Sequence, residues 1–125
     1  MVKAIHTNDA PQAIGPYSQA IDLGDLVFVS GQIPINPQTG EVVEGIEAQT
    51  KQVMQNLQAI LSTADLSFSD VAKFTIYITN MDDFAKINEV YATFLQEPYP
   101  ARACVEVSRL TKGVSIEMDV IAKRK

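Results

Sequence analysis

Two alternating segments near the end of the chain commit it to a sheet. In Pro100-Ala101-Arg102-Ala103-Cys104-Val105-Glu106-Val107, one face carries Ala101, Ala103, Val105 and Val107, and the other Arg102, Cys104, Glu106 and then Ser108. In Val114-Ser115-Ile116-Glu117-Met118-Asp119, the apolar row is Val114, Ile116, Met118 and Val120, and the polar row is Ser115, Glu117 and Asp119. A period of two suits a strand and not a helix. Thr111-Lys112-Gly113 reads as the turn between the segments, which predicts neighbouring strands. Arg102 and Glu117 would then stand close together, beside the Cys104 thiol. A small site for a carboxylate-bearing molecule needs such a set. A structural ion pair has the same appearance.

Upstream, Tyr17 to Asp22 and Leu26 to Ser30 are short β-rich runs around Leu23-Gly24-Asp25, which predicts a hairpin. Asn36-Pro37-Gln38-Thr39-Gly40 has turn chemistry. Ile46, Val53, Leu57, Ile60, Leu61 and Ala64 follow helical spacing, with Glu44 and Glu47 placed for the helix start. Val71 to Thr79 is dense in β-branched and aromatic residues and reads as a central strand. A second helix is predicted after Asn80 as its cap, burying Phe84, Ile87, Tyr91, Phe94 and Leu95, with Pro98 and Pro100 ending it. The order is strands, helix, strand, helix, two strands: an α+β layer with two helices packed on one face of a sheet.

Two strands look apolar on both sides. Ala72, Phe74, Ile76 and Ile78 lie opposite Val71 and Tyr77, and Leu26 and Phe28 lie opposite Val27 and Val29. Two helices cover one face of such a sheet, so the second face is predicted to be covered by another copy of the chain. The competing reading folds the loop Ile33 to Gly45 over that face.

At 125 residues the length fits one domain spanning 1–125. With 46% hydrophobic and 20% charged residues the composition is that of a soluble globular domain rather than a disordered one. One cysteine excludes an internal disulfide or a thiolate zinc cluster, and Met1-Val2-Lys3-Ala4-Ile5-His6 lacks a secretory apolar stretch, so a cytoplasmic location is expected. No apolar run approaches the ~20 residues of a membrane span. A net charge of -5 repels phosphate backbones and anionic lipid, so neither nucleic acid nor membrane is an expected partner. The basic tail Lys123-Arg124-Lys125 reads as a solvated end.

Each candidate residue has a structural alternative. Arg102 offers a rigid fork of donors for a carboxylate, or an ion pair to Glu117 or Glu106. Glu117, between Ile116 and Met118, is an acid or base, or faces solvent. Cys104 reads as a small filler, since the sole histidine, His6, lies far off in sequence and cannot be counted on to activate it. With one histidine, a catalytic metal is not expected. Tyr17 and Ser30 lie in turn-rich segments, and Gly31 is a bulge or lets a ligand approach the backbone. Asn88 lies one residue off the apolar stripe, either partly exposed or an inward hydrogen-bond donor.

These segments resemble the reactive intermediate deaminase (Rid, or YjgF) family through essentially the whole chain. The resemblance rests on Gly-Pro-Tyr-Ser-Gln-Ala at 15–20, Val-Ser-Gly-Gln-Ile-Pro at 29–34, Ile-Asn-Glu-Val-Tyr at 87–91, Pro-Ala-Arg at 100–102 and Ile-Glu-Met at 116–118. Arg102 with Glu117 is similar to the deaminating, RidA-like branch. The resemblance implies a fold like bacillary chorismate mutase: a homotrimer with sheets lining a central barrel, helices outside, and three sites at subunit clefts.

The implied activity is hydrolysis of short 2-imino acids, or their enamine tautomers, to 2-keto acids and ammonia, without a cofactor. Arg102 would hold the substrate carboxylate and Glu117 would position water. Tyr17, Ser30, Gly31, Asn88 and Cys104 would shape the pocket, some of them from the neighbouring subunit. Two other classes stay open: a non-catalytic module that binds 2-keto or amino acids, and an RNA-directed translation inhibitor.

Overall fold

A computed structural model describes residues 2–125 of the chain. It contains β1 (Lys3–Ile5), β2 (Ala20–Asp22), β3 (Leu26–Gln32), α1 (Ile46–Thr63), β4 (Val71–Ile78), α2 (Phe84–Thr93), β5 (Ala101–Glu106) and β6 (Ile116–Lys123). The six strands form one sheet in the order β1-β2-β3-β6-β4-β5, antiparallel except for the parallel pair β4 and β5. The expected α+β layer with both helices on one face is what forms. None of the described helices is long and apolar enough to cross a membrane.

The helix face of the sheet is the core. Along α1, Val53, Met54, Leu57, Ile60 and Leu61 are fully buried, each worth roughly 1.5–3 kcal/mol relative to exposure. They meet Val27 and Val29 of β3, Phe74, Ile76 and Ile78 of β4, and Ile116, Met118 and Val120 of β6. Beneath α2, Phe74 and Tyr91 pack edge to face with centroids 5.0 Å apart. Asn80 acts as a cap, but of a single 3-10 turn, Met81–Asp83, that precedes α2; its side chain accepts from the Asp82 amide at 2.9 Å.

Three sequence expectations need correction. First, β5 and β6 are not neighbours, because β4 lies between them. The chain leaves β4, crosses through α2 and returns parallel to it, a connection that a helix permits and a tight turn does not. Thr111–Gly113 is a turn, yet it leads past the end of β4 rather than closing a hairpin.

Second, Val71 changes face; the face opposite the helices is uncovered in the single chain, as two helices alone would leave it. Phe28 is 43% exposed and Val105 44% exposed. Val71 does not belong to that face: a bulge between Val71 and Lys73 turns Val71 inward and leaves Ala72 exposed. Nor does the loop after β3 cover it. Asn56 of α1 donates to the carbonyls of Ile33 and Ile35 at 3.2 and 3.1 Å, tying the loop to the helix.

Third, the basic tail is not simply solvated. Arg124 donates to Asp22 at 2.6 Å and to the Ala64 carbonyl at 2.8 Å.

Candidate active site

The alternation of β6 puts Ile116, Met118 and Val120 into the core and Glu117 and Asp119 on the uncovered face. Glu117 is in register with Tyr77 of β4, and Asp119 accepts a hydrogen bond from the Tyr77 hydroxyl at 3.2 Å. On the other side of β6, Ser30 and Gly31 form a bulge in β3 between Val29 and Gln32. That bulge brings the backbone of Gly31 against the Glu117 side chain. A β-carbon at position 31 would collide with Glu117 Oε2 and stand 3.0 Å from its Cδ. Of the two alternatives for Gly31 the structure shows the bulge, and the bare backbone there leaves room for the Glu117 carboxylate, which would have to shift to admit a β-carbon.

Ser30 Oγ donates to the Ser18 carbonyl at 2.6 Å, and the Ser30 amide donates to the Gln19 carbonyl at 2.9 Å. These bonds hold the segment that carries Tyr17. Tyr17 is half exposed, and its hydroxyl accepts a long hydrogen bond, 3.4 Å, from the Ile14 amide. Tyr17, Ser30, Gly31 and Glu117 all line one cavity of about 520 Å³, whose walls include Ile33 and Lys112. Burial, helped by the negative charge of Asp119, pushes the Glu117 carboxyl above the ordinary glutamate range. A carboxylate so placed is suited to accept a proton or to orient water.

Arg102 belongs to a different place. The parallel register pairs Phe74 with Arg102 and Ile76 with Cys104, so both β5 side chains lie on the helix side of the sheet. The Arg102 guanidinium lies 5.3 Å from the Phe84 ring centre and 5.2 Å from that of Tyr91, and Nη1 donates to Asn88 Oδ1 at 2.7 Å. Asn88 is thus an exposed acceptor and not an inward donor. The ion pair considered for Arg102 does not form: Glu106 accepts from the Met81 amide at 2.7 Å, and Glu117 is on the opposite face. Among the described residues the ion pair within 4.0 Å is Arg124 with Asp22. Arg102 lines a second cavity, about 510 Å³, with Asn88, Tyr91, Leu95, Tyr99 and Pro100.

Cys104 follows Arg102 along the same row and packs partly into the core. Burial pushes its thiol up, with Arg102 pulling it partly back. His6 is hydrogen-bonded to Gln12 at 2.7 Å, and no histidine lines either cavity. A neutral, partly buried thiol fits the filler reading.

The candidates therefore form two groups. Tyr17, Ser30, Gly31 and Glu117 share one cavity; Asn88 and Arg102 share another, with Cys104 beside them. One organising residue was missed: Gln19, 2% exposed, accepts from the Thr7 amide at 2.7 Å and donates to the carbonyls of Thr7 and Pro11 at 3.0 and 2.8 Å. It stands in the Gly-Pro-Tyr-Ser-Gln-Ala segment, next to apolar Ala20 and Ile21. A primary amide beside an apolar run was the available signal, since buried amides bond backbone.

Comparison with known proteins gives a consistent picture. A family model described as Endoribonuclease L-PSP matches residues 7–124. A RutC family protein of Pyrococcus horikoshii is 55% identical, over 98% of this chain and 98% of its own. The 2-iminobutanoate/2-iminopropanoate deaminase of Escherichia coli is 47% identical over 100% of both chains. Among solved structures, E. coli TdcF with bound serine matches with a TM-score of 0.95 at 49% identity, covering 98% of this chain and 99% of that one.

Proposed function

Because the chain belongs to the Rid/RutC/YjgF family, whose model spans residues 7–124, we propose that it hydrolyses short 2-imino acids to 2-keto acids and ammonia. The substrates of this reading are 2-iminobutanoate and 2-iminopropanoate, the pair named for the E. coli relative. The observation that carries it is the division of the candidate residues: a guanidinium without an acidic partner in one cavity, and a carboxylate raised by burial in another. A second copy of the chain unites the two.

The assembly proposed is a homotrimer with the uncovered sheet faces turned inward, as in bacillary chorismate mutase, and each cleft shared by two subunits. Phe28 and Val105 on that face support it, since exposed apolar side chains of this size gain by burial. Each cleft takes Arg102, Asn88 and Cys104 from one copy and Tyr17, Ser30, Gly31 and Glu117 from another.

In such a cleft Arg102 holds the substrate carboxylate through two parallel charge-assisted hydrogen bonds. Asn88 and the rings of Phe84 and Tyr91 orient the fork in advance. Glu117 accepts a proton from a water as its oxygen bonds to the imine carbon. Glu117 hands that proton to the nitrogen of the tetrahedral intermediate, ammonia departs as the carbon–oxygen double bond forms, and the hydroxyl proton passes through Glu117 to make ammonium, one water having been consumed. A protonated imine is already electrophilic, so orientation and one base suffice. Gly31 leaves room for the Glu117 carboxylate, and Tyr17 and Ser30 line the approach. No cofactor takes part in this scheme.

The bound serine of TdcF favours a second reading, a module that binds small amino or keto acids without turnover. The name Endoribonuclease L-PSP raises RNA cleavage, but the net charge of -5 repels phosphate backbones and Arg124 is engaged with Asp22.

The test is a trapping assay in which a threonine dehydratase generates 2-iminobutanoate while semicarbazide competes for it. Wild type should divert imine to 2-ketobutyrate and Arg102→Ala should not. Equal diversion by both proteins would remove Arg102 from the site; diversion by neither would leave the binding module as the better reading.

A further inference from the structure

Lys112 is the one basic residue lining the Glu117 cavity, as Glu117 is the one acid. Its backbone is left-handed, with φ 59° and ψ 18°, and Gly113 follows at φ 68°. The other left-handed non-glycine residue, Asp65, directly follows α1 and its cap, where that conformation is routine. Lys112 takes it as the first central residue of a turn, with Gly113 the second, closed by the Val114 amide on the Thr111 carbonyl at 3.4 Å. A residue with a β-carbon keeps this conformation only where its surroundings dictate it.

Those surroundings are well defined. Gly113 donates to the Leu110 carbonyl at 3.1 Å. Val114, 1% exposed, anchors the following residue in the interior, and the Ser115 amide donates to Gln49 Oε1 at 2.9 Å. The turn is pinned from below, while Lys112 itself is exposed on the cavity wall.

We infer that Lys112 is a specificity-determining residue that draws anionic substrates into the Glu117 cavity. This rests on the hydrolase reading above. The chain carries a net charge of -5, and three copies would triple it, so the average field opposes a 2-imino or 2-keto acid. Glu117 adds to that opposition at the reacting end. One ammonium on a flexible stem, fixed by its turn beside the cavity, offsets the field where the substrate enters. Among the described residues Lys112 forms no ion pair with Glu117, so its charge bears on capture and not on the proton transfer.

The experiment compares wild type with Lys112→Gln and Lys112→Asn, the second keeping a residue that accepts the left-handed backbone readily. At low ionic strength both variants should raise KM about threefold with kcat unchanged, and the gap should close at roughly 0.5 M salt. Lys112→Arg should retain the wild-type KM. A wild-type KM in the neutral variants at low salt, or a penalty that persists at high salt, overturns the inference. If wild type hydrolyses no imine, the hydrolase reading falls, and the salt-dependent affinity for 2-ketobutyrate, measured by calorimetry on the same proteins, decides the role of Lys112. No binding of 2-ketobutyrate by wild type would overturn it as well.

Discussion

Arg102 and Glu117 stand on opposite faces of one sheet, with the whole of β4 between their strands. Side chains on opposite faces point away from each other, so no rotamer change within one chain unites them. If both serve one reaction, they do so from different copies.

That geometry has a direct test. Arg102→Ala and Glu117→Ala should each be inactive alone. Co-expressed and assembled together, they should regain activity, because some clefts receive Arg102 from one variant and Glu117 from the other. Random mixing of equal amounts leaves about one cleft in four intact. No recovery in mixed assemblies, verified by mass spectrometry, would argue that each cleft is built by a single chain.

A side chain at position 31 is expected to be compatible with folding but not with the placement of Glu117. In Gly31→Ala the new methyl displaces the Glu117 carboxylate, which otherwise lies where that methyl would be. Turnover should fall by roughly tenfold or more, since a misplacement of about 1 Å costs that much. Because the neighbour is the end of a flexible side chain, the melting temperature should change by only a few degrees. Kinetics and thermal denaturation on the same preparation separate the two effects.

Asp119 tunes Glu117. Burial first and the Asp119 charge second raise the Glu117 carboxyl, so the acid limb of activity should lie above the ordinary glutamate range. Asp119→Asn should move that limb to lower pH, read from a kcat/KM profile. Stability has the matching sign. Glu117 and Asp119 both titrate higher in the folded chain, which therefore binds more protons there than the unfolded chain, and their contribution is lost as pH rises through the folded values. Asp22 has the opposite sign: Arg124 holds it low, and its contribution is lost as pH falls.

Gln19 holds the segment that carries Tyr17. Gln19→Leu takes the side-chain partner from the Thr7 amide and from the carbonyls of Ala10 and Pro11, and leaves the Thr7 carbonyl with Gln12 alone. The expected loss is about 2–3 kcal/mol, visible as a lower urea midpoint. The same change should raise KM, because Pro11, Gln12 and Tyr17 line the Glu117 cavity.

Much of this molecule was legible from its residues. The helix from Ile46 and the strand from Val71 fell where their periodicities indicate, and the rows of β5 and β6 alternate as read. What misled was adjacency. Thr111-Lys112-Gly113 has the chemistry of a turn, and a turn between two strands usually joins neighbours; here β4 had already taken the place beside β5. The bulge at Ala72 likewise left no mark in the pattern, and it moved Val71 to the core.

The sequence by itself determined the elements, the family and, away from the bulge at Ala72, their faces, because periods of 2 and 3.6 follow from backbone geometry and are written locally. Only the tertiary structure decided which strands are neighbours, that Glu117 rests on Gly31, and that Arg102 lies across the sheet from it. Those relations depend on long-range pairings chosen by how the whole chain buries its apolar surface, and no local pattern records that choice.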